Sequence, residues 1–287
     1  MAVPGHDVGV TAVVLFGAVV SLLGVAVWLG LLIWAAKGDG RVQWEHDRDA
    51  GLKPGSTLKW TRMGESVQFE SAAGASAGYL ARPGESADVH RGVVVIQEWW
   101  GLVPHIEDVA ERFRALGYVA LAPDLYHGKS TVEAEEAHHL MEGLDWGRAA
   151  QELAGAVTYL RNVAGVSRVG VVGFCMGGAL TVIAAADPGV DAYASFYGFP
   201  PAGPVALDRI DAPGLICFGE HENAFSVPDA QAFAQQQRKR GKQAEVLVYP
   251  DAGHAFFNDT RPEAYQQAAA DGAWRRTVEL FEQHLRS

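Results

Sequence analysis

Apolar residues first fall in one long uninterrupted run and then in short blocks separated by polar segments. From Val8 to Ala36 no residue is charged, and Leu, Val, Ile, Phe and Ala dominate. The run exceeds the roughly 20 apolar residues that span a bilayer, and it lacks the basic leading segment of a cleaved signal peptide. It predicts a transmembrane helix over residues 8–36 and a polar juxtamembrane linker over residues 37–62.

The charges beside this run predict its orientation. Asp7 is the only charged side chain before it, whereas Lys37, Arg41, Arg48 and Lys53 follow it. Basic residues flanking a span favour the cytoplasmic side. We therefore expect a single-pass membrane protein whose carboxyl-terminal domain is cytoplasmic.

The short apolar blocks beyond the linker alternate between strand and helix patterns, which predicts one α/β domain over residues 63–287. Val67–Glu70 and Ala77–Ala81 resemble a hairpin, and the later strands should form a mostly parallel sheet with helices on both faces. The later predicted strands are Gly92–Gln97, Tyr118–Pro123, Val169–Phe174, Ala192–Tyr197, Gly214–Phe218 and Glu245–Tyr249, and the helices lie around Ile106–Leu116, Trp146–Val163 and Trp274–Leu285.

One junction between a predicted strand and helix has a reactive side chain at its centre. Gly173-x-Cys175-x-Gly177 follows the β-branched strand and precedes a run of small helical residues. A Gly-x-nucleophile-x-Gly turn at this place is the nucleophile elbow of the α/β-hydrolase fold, here with cysteine in the serine position. A tight turn around a buried, unreactive cysteine is the alternative.

Candidate partners for this cysteine follow two later strands. In α/β-hydrolases the order along the chain is nucleophile, acid, histidine, and here Glu222 follows one strand while His254 follows the next. A histidine can accept the thiol proton, and a carboxylate behind it fixes the imidazole tautomer. Asp229 and Asp251 are alternatives for the acid.

Composition excludes several other classes of function. The net charge of −11 and the lack of a basic stripe argue against a nucleic-acid partner. The only cysteines are Cys175 and Cys217; the second lies in an apolar strand pattern and is expected to be an inert core thiol. Neither shows metal-ligand spacing, so we predict no metal, no cofactor and no disulfide framework.

From about residue 67 to its end, the chain resembles the dienelactone hydrolase (carboxymethylenebutenolidase) family of α/β-hydrolases. The combination of a Gln-Glu-x-x-Gly run with a cysteine elbow is more specific than either motif alone. The matching runs are Val95–Gly101, Ala122–Tyr126, Gly173–Gly178, Phe196–Gly198 and Gly253–Phe256.

The resemblance implies a role for several residues. Cys175 and His254 take the nucleophile and base positions, and Glu98 matches the glutamate that holds the resting thiol. A structural salt bridge is the alternative role for Glu98. The backbone N–H groups of Trp99 and Met176 would form the oxyanion hole.

Two positions depart from the family pattern. The acid position holds Glu222 instead of the usual Asp, with two extra residues before Val227. Asn258 stands where the archetypal enzymes carry an arginine that grips the substrate carboxylate, and an amide cannot replace a bidentate cation. We therefore expect a different substrate pocket, whose predicted lining is Trp99, Trp100, Tyr126, Tyr197 and Asn258.

These observations favour a hydrolase that cleaves a small-molecule ester or lactone through a thioester acyl-enzyme. The membrane anchor suggests a thioesterase or deacylase of membrane-associated acyl substrates as one alternative. A catalytically silent, membrane-tethered binding protein of the same fold is the other. The oligomeric state is left open.

Overall fold

The computed structural model describes residues 63–84, 90–201 and 207–286. The predicted transmembrane helix over residues 8–36 and the linker over 37–62 lie outside this part. Within it, every helix is too short or too polar to cross a bilayer.

The described residues form an eight-stranded sheet with helices between the strands. The strands are β1 (Glu65–Ser71), β2 (Gly74–Ala81), β3 (Arg91–Ile96), β4 (Val119–Pro123), β5 (Arg168–Phe174), β6 (Ala192–Phe196), β7 (Gly214–His221) and β8 (Ala244–Gly253). The helices are α1 (Pro104–Ala115), α2 (Ala134–Glu142), α3 (Trp146–Asn162), α4 (Met176–Ala184), α5 (Val227–Lys239) and α6 (Gln267–His284), with a 3₁₀ turn at Leu207–Arg209.

The strand order is β1-β2-β4-β3-β5-β6-β7-β8. The β1–β2 hairpin and the β2–β4 pair are antiparallel, and the remaining pairs are parallel. Consecutive residues 93–96 of β3 are fully buried. Because successive side chains point to opposite faces, both faces of the sheet are covered there. The predicted hairpin and mostly parallel sheet are confirmed.

The last two strands extend beyond their predicted ends. The sequence pattern ended them at Phe218 and Tyr249, whereas β7 continues to His221 and β8 to Gly253. The added residues do not form an apolar run, and several of them are exposed. The strands persist because their backbones remain paired across a register shift. As a result, the predicted acid and histidine follow directly on two neighbouring strands.

The last helix also begins earlier than predicted, at Gln267 instead of near Trp274. The Gln266 side chain accepts a hydrogen bond from the Ala269 N–H and caps the first turn. After Gln267 the first turn consists of three alanines, whose helix propensity is the highest. This turn lacks the apolar period used to place the helix.

A buried aromatic cluster ties the central strands to the loop after β8. Phe174, Phe196 and Phe257 have ring centroids 4.9 to 5.1 Å apart. Such pairs add to the stabilisation from burial. The cluster holds the ends of β5 and β6 against the loop that carries His254.

Candidate active site

Cys175 lies at the sharp turn between β5 and α4. Its backbone has φ 55° and ψ −117°, a conformation that is strained for a residue with a side chain. Glycine is required on both sides of Cys175, because neighbouring backbone atoms approach these positions too closely to leave room for a Cβ atom. A Cβ on Gly173 would lie 2.2 Å from the Gly177 oxygen, and a Cβ on Gly177 would lie 2.3 Å from the Gln97 oxygen. The predicted strand–turn–helix is therefore present, and it places the cysteine at the head of α4.

The predicted base and acid form a buried pair. His254 Nδ1 lies 2.9 Å and 3.0 Å from the two carboxylate oxygens of Glu222, and both side chains are buried. Glu222 Oε1 also accepts hydrogen bonds from the backbone N–H groups of Asn223, Ala224 and Phe225. The backbone of the turn after β7 thus holds the Glu222 carboxylate in the position from which it contacts the imidazole.

The alternative acids lie elsewhere on the surface. Asp229 is exposed in the first turn of α5. Asp251 is also exposed, and its N–H bonds Glu220. Of the three candidate carboxylates, the structure brings Glu222 to His254.

Two aromatic rings contact the imidazole. The Tyr197 ring contacts His254 edge-on with centroids 5.0 Å apart, and Phe225 stacks on it at 5.9 Å. These contacts, together with Glu222, limit rotation of the imidazole.

The electrostatics of His254 favour its protonated form. Burial by itself lowers the pKa of His254, but the charge of Glu222, followed by the charge and hydrogen bond of Cys175, raises this pKa well above its ordinary value. An imidazole in this setting can hold the thiol proton and so stabilise a thiolate.

Glu98 is buried just beyond β3 and has two neutral partners. Tyr197 Oη donates a hydrogen bond to Oε1 at 3.1 Å, and Asn258 Nδ2 donates one to Oε2 at 2.6 Å. These contacts are hydrogen bonds from neutral groups and not the salt bridge considered as the alternative role for Glu98. Asn258 is itself 1% exposed, so this predicted pocket residue directs its amide at Glu98.

The predicted oxyanion donors belong to neighbouring turns. Trp99 follows β3, and Met176 begins α4 directly after Cys175. Parallel pairing of Ile96 with Gly173 brings these two strand ends side by side. Their adjacency is the arrangement that an elbow oxyanion hole requires.

The predicted aromatic lining is buried around the elbow. Trp100 packs edge-on against Trp99 at 4.8 Å, and Tyr126 Oη donates a hydrogen bond to the Met176 sulfur at 3.3 Å. The guanidinium of Arg261 lies over the Trp100 ring, 4.3 Å from its centroid. The contact with Arg261 was not anticipated.

The loop after His254 is anchored to α1 by a network that sequence reasoning missed. Asp259 pairs with Arg112 at 2.6 Å and contacts His105 at 3.2 Å. Burial by itself raises the pKa of Asp259, but His105 and Arg112 lower it to about 2. In the sequence, His105 and Arg112 are two helical turns apart and so lie on one face of the predicted helix. This spacing was the signal that could have indicated a shared partner.

Among the residues that the structure describes, one group outside this site offers metal-ligand atoms. Glu220, His221 and Asp251 place ligand atoms within 4.8 Å of one another at the exposed ends of β7 and β8. Exposed acidic groups of this kind are common in proteins without a metal.

A strained cysteine at a strand–turn–helix, followed by an acid and a histidine beyond later strands, is the arrangement of α/β-hydrolases. The chain order and the mostly parallel sheet agree with that class.

Comparison with known proteins identifies the family. A model of the dienelactone hydrolase family matches residues 76–285. "Protein usf" of Aquifex pyrophilus is 33% identical over 233 residues, covering 78% of this chain and all of that protein. An Escherichia coli protein with the provisional name carboxymethylenebutenolidase is 32% identical over 222 residues, covering 72% of this chain and 82% of its own length.

A solved structure supports the same assignment. The crystal structure of a provisionally named dienelactone hydrolase from Klebsiella pneumoniae has a TM-score of 0.65 at 26% identity, covering 77% of this chain and 99% of that one. The chain belongs to the dienelactone hydrolase family. It is accordingly an enzyme that hydrolyses carboxylic esters or lactones.

Proposed function

We propose that this hydrolase acts through Cys175, His254 and Glu222 and forms a thioester acyl-enzyme. The observation that carries the proposal is the buried His254–Glu222 pair, with contacts of 2.9 and 3.0 Å. Its imidazole has a pKa raised by both Glu222 and Cys175. These interactions match the roles of orienter, base and nucleophile.

In the first half-reaction, the Cys175 thiolate attacks the substrate carbonyl carbon, and the carbonyl electron pair becomes an oxyanion. The N–H groups of Trp99 and Met176 stabilise that charge. The C–O bond to the leaving oxygen then breaks, and imidazolium His254 gives this oxygen its proton. With a lactone, the alcohol stays attached to the acyl group.

In the second half-reaction, water adds to the thioester carbonyl while His254 accepts a proton from it. The C–S bond then breaks, the carboxylic acid leaves, and Cys175 returns to its thiolate form. Glu222 stabilises the imidazolium in both halves and needs no proton of its own.

The substrate class follows from the charges near Glu98. This buried carboxylate has two neutral donors, Tyr197 and Asn258. By the family resemblance, Asn258 replaces the arginine that grips an anionic acyl group. Neither donor carries the permanent positive charge that binds an anion bidentately, so we infer that the preferred substrates are neutral esters or lactones.

We further propose that residues 8–36 anchor the hydrolase to a membrane with its catalytic domain in the cytoplasm. The proposal rests on the uncharged length of that run and on the basic residues after it.

Removal of the nucleophile tests the mechanism. Cys175→Ala should reduce p-nitrophenyl acetate hydrolysis to background, because no acyl-enzyme can form. Cys217→Ala is the matched control, since Cys217 is buried in β7, and it should retain activity. Full turnover by folded Cys175→Ala protein would refute the proposed cysteine mechanism.

A further inference from the structure

We propose that Thr260 is a positioning residue that sets the orientation of Glu98 by way of Asn258. The inference deepens the proposed function, because Glu98 affects turnover only if the site around Cys175 is the reacting one. Thr260 itself lies at the protein surface.

The amide of Asn258 is oriented by its partners. Its Oδ1 accepts hydrogen bonds from the Thr260 N–H at 3.1 Å and from the Thr260 hydroxyl at 2.6 Å. Its Nδ2 then faces Glu98 Oε2 at 2.6 Å. A backbone N–H can only donate, so an inverted amide would place its NH₂ group against the Thr260 N–H and its oxygen against Oε2 of Glu98.

The segment that carries Thr260 is itself held in place. The Asn258 N–H donates to the Ala255 oxygen at 3.0 Å, and the Arg261 N–H donates to the Asn258 oxygen at 3.1 Å. Between them, Asp259 pairs with Arg112 of α1. The backbone of Thr260 is therefore held by the turn and by α1.

Glu98 is then constrained at both oxygens. Tyr197 donates to one and Asn258 to the other. A carboxylate has about four lone-pair sites, two on each oxygen. Because these two donors occupy one site on each oxygen, they fix the directions in which the two unoccupied lone pairs of Glu98 point. Loss of the Thr260 hydroxyl would loosen Asn258 and hence the direction in which Glu98 acts.

A set of threonine variants measures this connection. Thr260→Val keeps the side-chain shape and the backbone N–H but removes the hydroxyl donor. We expect kcat for a neutral p-nitrophenyl ester to fall by about 2- to 12-fold, the range for one lost hydrogen bond, with KM nearly unchanged. Thr260→Ser restores the donor and should return kcat to within about twofold of the starting enzyme.

The matched control is Thr158→Val. Thr158 is also exposed, and its hydroxyl bonds the Ala154 backbone oxygen on α3. It should leave kcat unchanged. Thermal unfolding of each variant separates lost function from lost folding, and Thr260→Ala provides a second removal of the hydroxyl if the valine variant unfolds.

Coupling to Glu98 is the decisive readout. The alkylation rate of Cys175 by iodoacetamide, followed by peptide mass spectrometry, needs no turnover. Thr260→Val should change its pH dependence in the native background and leave it unaltered when Glu98→Gln is also present. An equal change in both backgrounds, or no rescue by Thr260→Ser, would overturn the positioning role. If Cys175→Ala keeps full turnover, the proposed function itself has failed, which is a different result.

Discussion

Substitution of the proposed acid, Glu222→Gln, keeps the side-chain shape and removes one charge. In the native site the carboxylate lies 2.9 and 3.0 Å from His254 Nδ1. Three backbone N–H groups, from Asn223, Ala224 and Phe225, donate to Oε1. The glutamine carbonyl must therefore occupy the Oε1 position, still 2.9 Å from Nδ1, and its NH₂ group takes the Oε2 position at 3.0 Å from the same nitrogen. In the variant, Nδ1 therefore faces one neutral acceptor and one donor instead of two oxygens of a carboxylate, and the imidazolium loses its charged partner.

The size of the loss follows from the missing charge. Two unit charges about 4 Å apart interact by about 4 kcal/mol at an effective dielectric constant of about 20. At about 1.36 kcal/mol per tenfold in rate, this corresponds to a fall in kcat/KM of about 10³-fold. The pKa of His254 should fall as well, because the charge of Glu222 raises it in the native protein. The pH profile of kcat/KM should then shift to lower pH.

The assay is steady-state hydrolysis of a neutral p-nitrophenyl ester over a range of pH. Asp229→Asn and Asp251→Asn are matched controls, since each makes the same chemical change at an exposed carboxylate. Both should stay near native activity. If Glu222→Gln remained within about threefold of native activity, or if either control lost more, the assignment of the acid would be refuted.

Three further predictions concern stability, substrate and membrane. Asp259 has a folded-state pKa of about 2, below its ordinary value of 3.8, so the stability from its ionised form is present above about pH 4 and lost as pH falls through 2. Chemical denaturation of Asp259→Asn should show a deficit of about 2 kcal/mol at pH 7 that shrinks to roughly 0.4 kcal/mol at pH 2 and vanishes below it. Neutral esters should have kcat/KM values at least equal to that of a dienelactone with a free carboxylate; strong preference for the anion would point to Arg261. Full-length protein should stay with membranes after alkaline carbonate washing, while a chain starting near Gly55 should be soluble and active; release of the full-length protein would contradict the anchor.

Much of the fold could be predicted because the governing patterns are local. Buried parallel strands are continuous apolar runs, as in Gly92–Gln97, and the elbow needs glycine on both sides of Cys175. The structure gives the physical reason, since a Cβ at Gly173 or Gly177 would overlap backbone atoms. The ends of β7 and β8 could not be predicted, because backbone pairing rather than side-chain pattern extends them.

The site was less accessible to sequence reasoning. Chain order pointed to His254 and Glu222, but three acids stood in plausible positions, and only the adjacency of β7 and β8 brings one to the imidazole. Asn258 was predicted to line the pocket because of the arginine it replaces, whereas its amide bonds Glu98. Thr260 carried no signal, since a loop threonine acquires meaning only through the partners that the fold supplies.

Detection of the acyl-enzyme tests the central claim most directly. The protein would be mixed with p-nitrophenyl acetate, quenched in acid and analysed by intact and peptide mass spectrometry, alongside His254→Ala, in which water attack lacks its base. The account predicts one acetyl group on the peptide containing Cys175, released by neutral hydroxylamine as expected for a thioester and absent from Cys175→Ala. An acetyl group on a different residue, or full ester turnover by folded Cys175→Ala protein, would contradict it.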